Sequence, residues 1–176
     1  MVDIVFGDVI ELLDSGEYTA VAHGCNCMGQ MGSGIAPILN SYSGGNLLKT
    51  DRLTRLNDIN KLGSVTCYKT PELSMFNLYT QFKPASSSDE VAVHWWSYVQ
   101  AVLDMLEQLD EHGELDDANI LLPPIGCGLA GGKLEDFVYY TDAALAQWDG
   151  STDNFVLTIT TNDAKMYYDL IELTKD

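Results

Sequence analysis

The sequence predicts an α/β sandwich built on a largely parallel sheet. Short strand-like runs of β-branched and apolar residues alternate with segments of helical periodicity. Two of the runs, TAVAHG and NILLPPI, pass into glycine-rich turns that lead into helices. Length sets the third constraint: 176 residues with 46% apolar content bury one sizeable core and fall short of two ordinary domains, so residues 1–176 read as one domain.

In order, MVDIVF reads as a strand, and Gly7-Asp8 starts a short helix through VIELL. TAVAHG is a second strand, followed by the glycine-rich CNCMGQMGSG and a helix opening near Ser33. Residues 44–60 read as helical with a broken start at Gly44-Gly45. GSVTCYK and SMFNLYT, separated by Thr70 to Leu73, are adjacent strands, and QFKPASSSDE is a loop too short to link domains. Val99, Val102, Leu103, Leu106 and Leu109 place a helix over 91–112, stopped at Gly113. NILLPPI is a strand, Leu134 to Trp148 a helix, FVLTIT a strand and Ala164 to Leu173 a closing helix.

Charge narrows the function classes. Nine Lys+Arg against 26 Asp+Glu give −17, a surface that repels nucleic acid and anionic membrane, so neither is an expected partner. Yet Tyr18 to Thr50 contains no acid and one lysine, Lys49, and Ala118 to Gly132 contains no Lys, Arg, Asp or Glu. Two glycine-rich segments free of carboxylates are where an anion can approach; buried strands and their turns are uncharged for packing reasons too. The chain has no apolar run of about 18 residues, and acids stand where a signal peptide needs a basic flank, so a cytoplasmic location is expected. Cys25, Cys27, Cys67 and Cys127 read as reduced thiols, and no metal site is expected: His23, Cys25 and Cys27 lie within five residues with no clear fourth ligand.

The stretch GCGLAGGK offers two decoys. Gly126, Gly128 and Gly131 have dinucleotide-fingerprint spacing, but that fingerprint belongs in a first βαβ unit, and here only about 50 residues follow. Cys127 and Lys133 imitate a cysteine phosphatase loop that carries lysine where a forked arginine belongs. What remains is a strand entering a glycine turn that opens a helix, which exposes backbone N–H groups to an anion. A tight turn with no ligand is the alternative. The second such segment, HGCNCMGQMGSGIA, lets two loops sit together at the C-terminal edge of one parallel sheet, where such sheets bind ligands.

Gly7-Asp8, AHGCNCMGQMGSGIA and LPPIGCGLAGG, in this order and over nearly the whole chain, resemble the macrodomains. His23 to Ala36 is most similar to yeast-type ADP-ribose 1''-phosphate phosphatases, which share H-x-C-N-C-x-G-x-x-G-x-G-I-A. The resemblance implies a three-layer α/β/α sandwich with a mixed, largely parallel sheet. It also implies a small-molecule ligand, ADP-ribose or ADP-ribose 1''-phosphate, and no cofactor. Asp8 would accept from the adenine amino group beside the Val9 backbone, and Asn26 would orient the distal ribose. Gly32, Ser33, Gly34 and Ile35 would wrap the phosphates from one side, and Gly126, Cys127, Gly128, Leu129 and Ala130 from the other. Phe82, Phe155, Tyr167 and Tyr168 are candidates to stack on adenine.

For catalysis, His23 is the one histidine in the motif and is expected to act on a terminal phosphate beside Asn26; a strand-end histidine held by backbone is the alternative. The chain departs from lysine-dependent macrodomain hydrolases: Gln81 stands near their lysine, with Lys83 close by, and Ala130 stands where the glutamate-specific branch has aspartate. Three functions follow: a phosphomonoesterase acting on ADP-ribose 1''-phosphate, a non-catalytic ADP-ribose-binding module, and an ADP-ribosyl hydrolase.

Overall fold

The computed structural model describes residues 2–87, 89–151 and 154–175. Six strands form one sheet: β1 (Val2–Phe6), β2 (Ala20–Asn26), β3 (Val65–Lys69), β4 (Ser74–Gln81), β5 (Ala118–Leu122) and β6 (Phe155–Thr161). Their order is β1-β6-β5-β2-β4-β3, and every neighbouring pair is parallel except β3 with β4. The helices are α1 (Val9–Asp14), α2 (Ala36–Tyr42), α3 (Asn46–Arg52), α4 (Trp95–Glu111), α5 (Leu134–Gln147) and α6 (Ala164–Leu173). None of the described helices is long and apolar enough to cross a membrane.

Strand alternation divides the interior into two cores. Val21, Cys25, Met75, Tyr79 and Leu121 face α1, α2 and α3, where they meet Val9, Leu13, Leu39 and Leu47. Ala20, Ala22, Phe76, Leu78, Ile120 and Leu122 face the opposite layer, whose centre is α4 with Tyr98, Val102, Met105 and Leu106 fully buried. Each such side chain contributes about 1.5–3 kcal/mol by leaving water. Tyr98 and Thr141 share a 2.7 Å hydrogen bond between their hydroxyls, which ties α4 to α5 without an unpaired buried polar group. The result is a three-layer sandwich with a mixed, mostly parallel sheet, as the sequence predicts.

Three boundaries differ from the sequence reading. The expected helix over 44–60 shortens to α3, and a separate 3-10 turn forms at Ile59–Lys61, because Asp58 accepts from the Asn60 N–H at 3.0 Å and restarts the turn. The helix expected from residue 91 starts at Trp95, since the His94 N–H is taken by the Thr80 carbonyl at 2.8 Å and the segment before it runs extended. The helix expected near Ser33 opens at Ala36, with Pro37 in its first turn.

The sheet order also makes a crevice. Neighbours β5 and β2 both end at the C-terminal edge, but β2 feeds α2 on one face and β5 feeds α5 on the other. The two departing loops diverge there and leave a gap between them.

Candidate functional site

The β2-to-α2 loop is shaped by Asn26. Its Oδ1 accepts from the N–H groups of Met28 (3.0 Å) and Gln30 (3.3 Å), and its Nδ2 donates to the Gln30 carbonyl at 2.7 Å. This local pairing curls the chain back after the strand and lets the following residues run over the crevice. Beyond the curl, the N–H groups of Gly32, Ser33, Gly34 and Ile35 make no hydrogen bond to any described residue.

The β5-to-α5 loop starts at Pro123 and Pro124, which lack N–H donors and so end the ladder. Gly131 donates to the Gly128 carbonyl at 3.1 Å and Gly132 to the Gly126 carbonyl at 2.8 Å, so two tight turns nest inside one another. The Cys127 N–H turns back to Pro124 at 3.3 Å and is therefore not aimed at the crevice. Those of Gly128, Leu129 and Ala130 make no hydrogen bond to any described residue.

The glycines sort into two kinds by what a methyl group would meet. A Cβ on Gly131 would lie 2.4 Å from the Glu90 carbonyl oxygen, one on Gly132 2.7 Å from Trp95, and one on Gly126 2.9 Å from Val93. These glycines let residues 90–95 pack beneath the loop, where Ala92 also donates to the Ala130 carbonyl at 2.8 Å and Trp95 stacks on Tyr140. A Cβ on Gly32, Gly34 or Gly128 would meet nothing within 4 Å. Their bare backbone faces open space, and they belong to the two runs with unpaired N–H groups. Gly24, on β2 below, forms the floor: a Cβ there would sit 2.7 Å from Ile125 and 3.0 Å from Thr80.

Asp8 stands at a third corner, at the C-terminal end of β1. Its Oδ1 accepts from the Ile10 N–H at 2.9 Å and caps α1, while its Oδ2 accepts from the Asn162 amide at 3.4 Å. Val9 is buried in the α1 core, and only its backbone can contribute. Of the aromatic candidates, Phe155 lies at the opposite end of β6 and is 3% exposed, which removes it from this edge. Phe82 packs against the α1 to α3 core, and Tyr168 is exposed. Tyr167 meets Phe6 edge to face at 5.6 Å beside the Asp8 corner. Phe6, 53% exposed, was not singled out from the sequence, where it reads as an ordinary strand residue.

His23 is placed differently from the other candidates. It lies on the face of β2 that carries Val21 and Cys25, is 1% exposed, and its Nε2 is 2.8 Å from Asn77 Oδ1. Asn77 Nδ2 donates to the Leu47 carbonyl (3.1 Å) and to Thr66 (3.0 Å), so its oxygen must face His23 and the imidazole carries its proton on Nε2. The expectation that His23 works on a terminal phosphate meets an enclosed ring held by a side-chain amide. Asn26 is in the site but does not bring His23 with it. Burial lowers the His23 pKa, partly offset by its hydrogen bonds to Asn77 and the Gly24 backbone. The folded state therefore takes up its proton at lower pH than the unfolded chain, which protonates near 6.5, so the histidine costs stability as pH falls below that value. In urea titrations at pH 7 and below 6, wild type is expected to lose stability at up to about 1.4 kcal/mol per pH unit more steeply than His23→Gln. Equal slopes would mean that the ring is open to solvent.

Thr66 links Asn77 to a buried charge that sequence reasoning missed. The Thr66 and Tyr79 hydroxyls are 3.1 Å apart, Tyr79 donates to Asp51 Oδ1 at 2.6 Å, and Lys61 Nζ reaches the same oxygen at 2.8 Å while lying 4.0 Å above the Tyr79 ring. Asp51 is 1% exposed and Lys61 8%. Burial and the Asp51 hydrogen bond push the Tyr79 pKa well up, so the phenol stays a donor. Asp51 and Lys61 stand ten positions apart, and no spacing in the sequence announces that they meet.

No thiol is poised as a nucleophile. Burial pushes Cys127 up to about 12, reinforced by Asp136 and Glu135, and Cys27 up to about 11 against the pull of Lys61. Cys25 is pushed well above its ordinary value by burial first and Asp51 second. Gln81 ends β4 and donates to the Lys83 carbonyl at 3.3 Å, and the Lys83 side chain is exposed. No cluster of three or more His, Cys, Asp or Glu among the described residues is placed to hold a metal ion.

A mixed, mostly parallel sheet with strand order β1-β6-β5-β2-β4-β3, a crevice between two glycine loops and an aspartate at the first strand end together define a macrodomain fold. Comparison with solved structures agrees. The macrodomain of Mycobacterium tuberculosis DarG superposes with a TM-score of 0.65 at 17% identity, over 93% of this chain and 99% of that one. A Trypanosoma brucei macrodomain in complex with ADP gives 0.73 at 12% identity, over 98% and 68%. Thermosipho africanus DarTG in complex with ADP-ribose gives 0.61 at 13%, over 90% and 42%. By sequence, the chain belongs to the family of an uncharacterized 17.5 kDa protein in the tk-vs intergenic region of Enterobacteria phage T4, with 34% identity over 140 residues, 76% of this chain and 83% of the phage protein. No protein-family model matches the chain.

Proposed function

We propose that this chain binds ADP-ribose across the crevice between the two glycine loops. The observation that carries the proposal is the pair of unpartnered N–H runs, Gly32 to Ile35 and Gly128 to Ala130, on loops that leave adjacent strands. Backbone donors from both sides can hold a diphosphate without a cation, in keeping with loops that carry no Asp or Glu in a chain of charge −17. Asp8 accepts from the adenine amino group, with Phe6 and Tyr167 as the nearby aromatic pair, and Asn26 faces the distal ribose. That two of the similar folds hold ADP and ADP-ribose supports the choice of ligand.

The finer activity, release of phosphate from ADP-ribose 1''-phosphate, has less support. It needs an acid, base or nucleophile at the crevice. The His23 ring is enclosed, the thiols are held protonated by burial, and the Asn26 amide is occupied by its own loop. The geometry thus favours holding the ligand over turning it over.

Calorimetric titration with ADP-ribose, AMP and inorganic pyrophosphate tests the binding reading. One-to-one binding of ADP-ribose is expected, with AMP and pyrophosphate each at least about tenfold weaker because each fills half of the groove. No heat and no NMR shift at about 1 mM ADP-ribose would overturn it. A phosphate-release assay on ADP-ribose 1''-phosphate separates binding from hydrolysis, and turnover that persists in His23→Gln would remove the histidine from the chemistry.

A further inference from the structure

At the other end of the sheet, where β2 and β4 begin and where α1 and α2 end, lies a second cavity of about 490 Å³. Its walls include the tyrosines Tyr18, Tyr42 and Tyr68, the apolar Leu13 and Met75, and Glu72 at the turn between β3 and β4. That volume is ordinary for a small-molecule site.

Two features give the cavity a sign. First, three tyrosines, Tyr18, Tyr42 and Tyr68, converge on one cavity. No stacked or edge-to-face contact joins any two of the three rings among the described residues. Second, the charge in the cavity wall is negative. Glu72 is the only charged residue in the wall, Asp14 acts on Tyr42, and Glu17 and Asp3 act on Tyr18, whose hydroxyl is pushed up mainly by burial. Lys69, the nearest base in sequence, is paired with Glu114. Both helix C-termini also present their negative ends here.

We propose that this cavity is a second binding site, selective for a small organic cation of the quaternary or alkylated ammonium class. Electron-rich ring faces attract a cation whose alkyl shell removes the need for hydrogen bonds, and Glu72 supplies the counter-charge at the rim. An anion meets the Glu72 carboxylate and finds no base in the wall. A neutral apolar molecule of the same shape gains burial but none of the electrostatic attraction. The cavity shares no lining residue with the glycine loops, so the proposal stands independently of ADP-ribose binding.

The test uses choline and its uncharged isostere 3,3-dimethylbutan-1-ol, titrated into the full chain and followed through the tyrosine ring signals by NMR. Choline is expected to saturate shifts at Tyr18, Tyr42 and Tyr68 with an affinity about tenfold above the isostere. Glu72→Gln, an exposed site, should weaken choline about threefold or more, and Tyr42→Leu about tenfold, with the melting temperature and the ADP-ribose titration unchanged in both. Equal affinity for the two probes would show a neutral hydrophobic pocket and overturn the proposal. So would the absence of saturation at about 50 mM choline, or choline affinity unaffected by both substitutions.

Discussion

Lys61→Met is expected to destabilise the fold by about 3–5 kcal/mol, the cost of leaving a buried carboxylate without its cation. Methionine keeps the stem of the side chain and removes only the ammonium that reaches Asp51 Oδ1 at 2.8 Å. Asp51 then retains one donor, Tyr79, because its Oδ2 is buried and has no hydrogen-bond partner among the described residues. Urea denaturation of Lys61→Met, Asp51→Asn and the double variant measures this. The double variant should be more stable than the sum of the single losses implies, since removing both charges removes the unpaired one. A loss below about 1 kcal/mol in Lys61→Met would mean that water reaches Asp51. The effect should extend to ligand affinity. The Asn57 N–H donates to the Cys27 carbonyl at 2.8 Å, and Leu56 sits where a Cβ on Gly29 would fall, 2.8 Å away. The segment between Asp51 and Lys61 therefore braces the first glycine loop from below.

The second large effect separates glycines required by the fold from glycines required by the ligand. Gly128→Val should fold normally, because a Cβ there meets nothing within 4 Å and the backbone does not have a left-handed φ. The added side chain fills the space in front of the free N–H groups, so ADP-ribose affinity should drop about a hundredfold or more. Gly131→Ala should do the reverse. Its φ of 73° and a Cβ 2.4 Å from the Glu90 carbonyl oxygen force the loop off residues 90–95, at a cost of more than about 2 kcal/mol in stability. Unchanged ADP-ribose binding in a folded Gly128→Val would place the ligand elsewhere.

Most of the architecture was legible because each strand ends in a turn with its own chemistry. Pro123-Pro124 stops β5, Asp8 caps α1, and the Val99 to Leu109 stripe fixes the buried face of α4. The two glycine loops were legible as a pair, though not which glycines are open. G-x-G-x-x-G treats Gly126, Gly128 and Gly131 alike, whereas in three dimensions two are crowded by residues 90–95 and one is free. His23 shows a limit of motif reading. Its place beside Asn26 in sequence suggests a shared site, but the period of a strand sends alternate residues to opposite faces, and Asn77, 54 positions away, claims the ring. The Asp51–Lys61 pair shows another: ten positions apart across an irregular segment, its meeting depends on the position of Tyr79 on β4.

The edge position of β1 bears on how the molecule is assembled during synthesis. β1 has one partner, β6, and Val2 aligns with Leu157. At about 5–20 residues per second the ribosome delivers that partner roughly 8–30 s after the first strand has emerged. Until then both backbone edges of β1 are open and the Asp8 corner has no Asn162 to meet. The central strands β2, β4 and β5, with both glycine loops, are complete earlier, so the two glycine loops are made before the Asp8 corner.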